Sequence, residues 1–227
     1  MTSQDYKKAN LPDNPGVYYF KKGNDILYIG RATSLKDRVK SYFNDDLIST
    51  RGPLLVDMVT HADHIEFTET DSVLEAVIHE ANEIKKYLPY YNTKEKDNKS
   101  FYCIAITDEE FPRVILVRER NLESNYKYVF GPYPNGGVVK NALKIIRKIF
   151  PFRDTCKIGK LCFNAQIGLC PGVCGGRMTK QEYARTVKKI ALFLEGKKDT
   201  LIQELEKEMH QYAKELAFEK AEEVKRT

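Results

Sequence analysis

Across residues 16–43 the apolar positions first gather into strand-like runs and then recur at helical spacing. Val17 to Phe20 and Ile26 to Ile29 are short runs rich in β-branched and aromatic residues, split by a turn signal at Gly23-Asn24-Asp25; this predicts a β-hairpin. Thr33 or Ser34 then offers an N-cap, and Leu35, Val39 and Phe43 form one stripe of a following helix. Further on, Leu54, Leu55, Met58 and Val59 behind Pro53 predict a second helix, and Ile65 and Phe67 a third strand within 62–70. Leu74, Val77, Ile78, Ala81, Ile84 and Leu88 mark the buried face of a stronger helix, capped by Asp71 or Ser72 and stopped by Pro89. The charged run 94–99 reads as a loop closing this part of the chain.

Beyond it lie three strand-like runs, 101–107, 114–117 and 127–130, and a helix over 141–150 with apolar Ala142, Leu143, Ile145, Ile146 and Ile149. From Thr179 the pattern is helical. Tyr183, Val187, Ile190, Ala191 and Leu194 form one stripe, Gly196 breaks it, and Leu201, Leu205, Met209, Tyr212, Ala213 and Leu216 form another. The fold class is α+β: a small three-stranded antiparallel sheet with helices, a linking α/β segment, and a helical C-terminal region.

The chain has 227 residues, 42% of them hydrophobic, enough for one large domain or two small ones. No apolar run approaches a membrane span and the first residues lack a signal-peptide h-region, so a cytoplasmic protein is expected. The net charge of +5 is mild. Its placement is more informative: Arg31, Lys36, Arg38 and Lys40 crowd the first helix, and Lys85, Lys86, Lys94, Lys96 and Lys99 follow. Such stretches are often only solvated faces; flanking a candidate site, they favour a phosphate backbone as partner.

Tyr18, Tyr28, Arg31, Arg38 and Tyr42 can converge on one surface of the hairpin and helix, an arrangement suited to chemistry on a phosphate. Taken singly, these tyrosines are ordinary β-formers and the arginines ordinary surface groups. Glu80 falls on the flank of its helix's apolar face near Ile84, whereas Glu75 points further into solvent. Cys156, Cys162, Cys170 and Cys174 follow the spacing C-x5-C-x7-C-x3-C among Gly159, Gly168, Gly172, Gly175 and Gly176. Disulfides, zinc and an iron–sulfur cluster compete as explanations. Cys103 reads as a small buried strand residue.

The order Gly16-Val17-Tyr18, Tyr28-Ile29-Gly30, then Arg38 and Tyr42 on a helix resembles the GIY-YIG nuclease motif. With Pro15 before it and Ser41-Tyr42-Phe43 after, the run resembles the amino-terminal nuclease of the UvrC family, excision-nuclease subunits of bacterial nucleotide excision repair. Arg31 departs from the pattern, which commonly carries lysine there. The stretch from Ile78 to Lys86, closing at Pro89-Tyr90-Tyr91-Asn92, resembles the segment holding the family's metal-binding glutamate. Glu80 takes that glutamate's place, Asn92 that of the motif's asparagine, and His79 stands where an aliphatic residue is usual. Residues 111–134 resemble the UvrC link to its cysteine region. The four cysteines resemble that region itself, which implies a [4Fe–4S] cluster, with zinc as the alternative. Leu205, Met209, Ala213, Leu216, Phe218 and Glu219 match a UVR motif, a helical hairpin that engages UvrB; without the resemblance the same stripe reads as a plain core or coiled-coil helix.

The resemblance implies a nuclease domain at 1–99, a connecting segment with the cysteines at 100–178, and a helical region at 179–227 with the UVR-like motif from about 199. It implies metal-dependent hydrolysis of damaged double-stranded DNA on the 3′ side of a lesion, in a complex with UvrB. Glu80 would hold one Mg²⁺ or Mn²⁺, Arg31 and Arg38 would bind the phosphate, Tyr28 or Tyr18 would position and deprotonate the water, and Tyr42 would orient a neighbour. A full UvrC also carries a second nuclease and helix–hairpin–helix elements, so a fragment or a short relative is expected. The alternative is a repair scaffold that binds UvrB and DNA but cuts poorly.

Overall fold

The computed structural model describes residues 1, 6, 8–44, 52–94 and 101–227, the side chains of 93 and 94 excepted. Residues 95–99 of the expected charged loop lie outside them. The chain divides into two compact units, Met1–Ser100 and Phe101–Thr227.

In the first unit β1 (Gly16–Lys22) and β2 (Asp25–Ala32) form the antiparallel hairpin. β1 is central, pairing on its other edge with antiparallel β3 (His64–Glu69). Strand alternation sorts the side chains. Tyr18, Phe20 and Tyr28 enter a core with Leu35, Val39, Tyr42, Leu55 and Met58, while Val17, Tyr19 and Ile29 form a second cluster that Ile84 packs against. α1 (Leu35–Lys40) is capped by Ser34, whose hydroxyl accepts from the Asp37 amide, and runs into a 3₁₀ turn at Ser41–Phe43. That turn corrects the expected stripe. At three residues per turn, position 42 rather than 43 comes under Val39, so Tyr42 is buried and Phe43 only half-buried.

α2 (Pro53–His61) and α3 (Val73–Tyr87, capped by Ser72) follow the expected pattern, with one correction. Leu88 is the left-handed C-cap of α3, with φ +47°, and stands exposed rather than on the buried face. A short α4 (Tyr90–Lys94) begins just after Pro89, a helix the apolar pattern did not predict.

The second unit holds an antiparallel sheet of order β5-β4-β6: β4 (Tyr102–Thr107), β5 (Val114–Arg118) and β6 (Tyr126–Tyr133). α5 (Gly136–Ile149) starts five residues before the expected helix because the Asn135 side chain caps it, accepting from the Gly137 and Val138 amides. Its buried face is Val139, Ala142 and Ile146; Ile145, expected on it, lies about 100° away and is exposed. After the short α6 (Phe163–Gln166), α7 (Lys180–Leu194) opens on a capping box between Thr179 and Glu182. Buried Tyr183 ties α7 down, donating to the Pro112 carbonyl (2.8 Å) and accepting from the Arg153 amide (2.9 Å). α8 (Lys198–Lys214) and α9 (Phe218–Arg226) complete the unit. Leu216, expected on the α8 stripe, has φ +57° in the link between these helices and is 74% exposed. No helix among the described residues is long and apolar enough to cross a membrane.

Candidate active site and cysteine cage

β1 carries Tyr18 opposite Gly30 of β2. A Cβ at position 30 would lie 2.3 Å from the Tyr18 hydroxyl, so glycine there is what lets the phenol lie across the neighbouring strand. The Tyr18 hydroxyl meets that of Tyr42 at 2.8 Å and accepts from Arg38 Nε at 3.3 Å. The Arg38 guanidinium also lies 5.8 Å from the Tyr42 ring centre, and the Tyr28 ring is 6.4 Å from the rings of both Tyr18 and Tyr42. Two strands, one helix and its 3₁₀ end thus deliver three tyrosines and an arginine to one place. Burial pushes the Tyr18 hydroxyl well above its ordinary pKa, and the neighbouring Tyr42 adds to this more than Arg38 relieves it. Tyr18 therefore keeps its proton. Tyr28 is the more open of the two strand tyrosines.

Glu80, on α3, is buried at 6% exposure. Its Oε2 accepts from Arg31 Nη1 and its Oε1 from the Arg31 backbone amide at 3.2 Å. Burial raises the Glu80 pKa, although the charge and hydrogen bonds of Arg31 and, more weakly, the charge of Arg38 oppose it. Asn92, on α4, spends its amide on the backbone of β2: Oδ1 accepts from the Ile29 amide and Nδ2 donates to the Ile29 carbonyl, both at 2.8 Å. Ile29 follows Tyr28 and stands two residues before Arg31, so Asn92 fixes the strand that presents them. A further group went unanticipated: Tyr19, on the opposite face, meets His79 Nε2 at 3.2 Å and donates to Glu83 at 3.3 Å, bracing α3 against the sheet. Only the alternation of Tyr19 with Tyr18 hinted at it.

A buried carboxylate oxygen suits a hard divalent cation, and Glu80 fits that requirement. Both of its oxygens are engaged by Arg31, so a cation must share Glu80 with this arginine or displace it.

In the second unit the sulfurs of Cys156, Cys162, Cys170 and Cys174 all lie within 4.8 Å of one another, Cys170 and Cys174 being buried. The loop folds closely enough for the Gly159 amide to reach the Cys174 carbonyl at 2.8 Å. Gly172 and Gly176, at φ +77° and +74°, supply left-handed backbone that other residues disfavour. Buried Arg153 anchors the loop, donating from Nε and Nη2 to the Cys156 carbonyl (3.2 and 3.1 Å) and from Nη1 to Glu109 (2.9 Å). Burial and the neighbouring thiols push Cys156 up to about 12; burial does most to bring Cys170 to about 11. A cation would favour the thiolates. The cage can hold a metal, and Cys103 is buried in β4 outside it. On α8, Leu205, Met209 and Ala213 are half-buried, while Leu216, Phe218 and Glu219 are exposed. Lys188 and Lys189 of α7 pair with Glu204 and Glu208 of α8.

Three family models match successive parts of the chain: the UvrC-like GIY-YIG domain at residues 14–93, the UvrC/Cho excinuclease middle domain at 101–193, and the UvrB/uvrC motif at 199–227. The UvrABC system protein C of Methanothermobacter thermautotrophicus is 38% identical over 216 residues, which are 95% of this chain and 36% of that protein. That of Caldicellulosiruptor saccharolyticus is 39% identical over 234 residues, covering 99% of this chain and 38% of that protein. The chain thus spans little more than a third of these curated relatives. Among solved structures, the magnesium-bound GIY-YIG N-terminal endonuclease domain of UvrC from Thermotoga maritima is 38% identical, with a TM-score of 0.36, over 40% of this chain and 99% of that one. With three UvrC segments in UvrC order, the chain belongs to the UvrC family.

Proposed function

We propose that this chain is a metal-dependent DNA endonuclease of nucleotide excision repair, cytoplasmic, cutting on the 3′ side of a lesion in DNA loaded with UvrB. The observation that carries this reading is that one small sheet bears both the Tyr18–Arg38–Tyr42 group and the buried Glu80–Arg31 pair, with the charge of Arg38 acting on Glu80. Residues 1–99 form the nuclease, 100–178 the connecting segment, and 179–227 the helical region with the docking hairpin.

Arg38 and Arg31 bind the scissile phosphate and offset its charge, their guanidinium groups matching phosphate oxygens. Tyr28, once it has lost its own proton to solvent with the nearby positive charge favouring the phenolate, takes the proton of the attacking water, since Tyr18 is buried in a setting that holds its own proton. Tyr18 and Tyr42 hold Arg38 in place. Asn92 keeps β2, and so Tyr28 and Arg31, at a fixed distance from the phosphate. Glu80 would hold one Mg²⁺ or Mn²⁺, which when bound withdraws charge from the phosphate and stabilises the leaving oxygen.

The hairpin of α8 and α9 docks on UvrB through Leu205, Met209, Ala213, Leu216, Phe218 and Glu219. The cysteine cage holds a metal centre that clamps its loop. A single tetrahedral zinc sets its thiolates about 3.8 Å apart, from bonds of about 2.3 Å, and a four-iron cubane sets them about 6 Å apart. No two of the sulfurs here are more than 4.8 Å apart, short of the cubane spacing. Likeness to the UvrC cysteine region keeps [4Fe–4S] first and zinc second, and iron and zinc analysis of purified protein separates them.

Arg31's hold on both oxygens of Glu80 favours the second reading, a scaffold that binds UvrB and DNA but cuts poorly. A strand-resolved assay on a defined-lesion duplex with UvrB and Mg²⁺ decides between them. One nick on the 3′ side supports the nuclease. A UvrB–DNA complex supershifted by this chain but left uncut supports the scaffold.

A further inference from the structure

The loops closing the cysteine cage show solvent three large apolar side chains. Phe163 is 71% exposed, Ile158 57% and Ile167 50%. Phe163 and Ile167 share a face, one turn apart, the Ile167 amide donating to the Phe163 carbonyl at 3.2 Å. The cap is held firmly. Its cysteines converge on one centre, Gly159 bonds to Cys174, and Leu161 packs so closely on Gly175 that a Cβ there would lie 2.9 Å from the leucine side chain. From residue 155 to 181 the chain carries Lys157, Lys160, Arg177 and Lys180 and no aspartate or glutamate. All four cations are exposed.

An aromatic ring left in water on a rigid mount, among cations with no carboxylate in the segment, matches a base and its flanking phosphates. A protein partner fits less well, because lysine is depleted in protein–protein interfaces whereas nucleic-acid interfaces are strongly positive. We propose that this cap is a second DNA contact, in which Phe163 stacks on a base exposed by unpaired or distorted DNA and Lys157 and Lys160 take the adjacent phosphates. The proposal rests on the reading that the chain works on DNA, and it gives the cap no part in cleavage.

The test is fluorescence anisotropy with the full chain carrying its cage metal. The probes are a duplex with a short unpaired bubble and the same duplex fully paired, each titrated across a salt series. Phe163→Ala should weaken bubble binding about fivefold or more while leaving the paired duplex nearly unchanged. The double variant Lys157→Ala, Lys160→Ala should weaken both and flatten the slope of log affinity against log salt by about 2. Melting temperature and cage metal content, followed alongside, should match the wild type, because all three side chains are exposed. Wild-type affinity and slope in both variants, or no DNA binding by the wild type, overturns the proposal. So does a Phe163→Ala variant that keeps DNA but loses UvrB, which makes the cap a protein contact. Nicking by a wild type whose cap variants bind normally sinks the cap alone. Cap variants that lose DNA in a chain that never nicks sink the nuclease reading alone.

Discussion

Arg31 is asked to do two things at once. Its guanidinium and its backbone amide engage the two oxygens of Glu80, and in the proposed reaction the same guanidinium serves the phosphate. Arginine does not shed its charge as lysine can, so it competes with any cation for this carboxylate. Removing it leaves a buried carboxylate without its partner, which a metal then relieves. Arg31→Ala should therefore bind Mn²⁺ several-fold more tightly without DNA, as read by electron paramagnetic resonance, while nicking more slowly; weaker Mn²⁺ binding would contradict the competition. Asn92 is a clamp rather than a reacting group. Asn92→Ala removes two hydrogen bonds to Ile29 and should cost about 2 kcal/mol, read by denaturant unfolding. The tyrosines and Arg38 were legible in sequence because strand alternation and helical spacing put them on one face. The Arg31–Glu80 pair was not, since its partners stand 49 positions apart and nothing local couples them.

At the scale of elements, one end of the second unit's sheet is tied by one carboxylate. Glu109 accepts from Thr107 and Arg113 (both 2.6 Å) and from Arg153. Burial works against its charge, but these bonds win and hold Glu109 down at about 2. A carboxyl with a lowered pKa contributes stability above its ordinary value and loses it as pH falls through the lowered one. The contribution, about 1 kcal/mol after allowance for solvent, should disappear between about pH 4.5 and 2. In unfolding measured across that range, Glu109→Gln should be less stable than wild type at neutral pH and converge with it in acid; a constant gap would contradict the assignment. Most elements were readable from apolar periodicity. The misplacements come from local features that apolar periodicity does not carry: a change of pitch, a left-handed residue or a side-chain cap. The 3₁₀ turn put Tyr42 where Phe43 was expected, left-handed Leu88 and Leu216 left their stripes, and the Asn135 cap moved the start of α5.

Across the molecule, the order of segments was the most legible feature, because each carries its own dense motif. What those motifs do not reveal is which apolar groups stay uncovered. Phe218 is 63% exposed and Leu216 74%, so the end of the hairpin presents apolar surface that its own unit does not use. Phe218→Ala should weaken UvrB capture while shifting stability by no more than about 0.5 kcal/mol. Unaltered capture would remove the docking role. The most direct test of the whole account compares Glu80→Gln with wild type on a lesion-bearing duplex with UvrB and Mg²⁺, products resolved by strand. The account predicts a single 3′-side nick by the wild type, absent in Glu80→Gln although the variant still joins the UvrB–DNA complex. A nick that survives the substitution would contradict it.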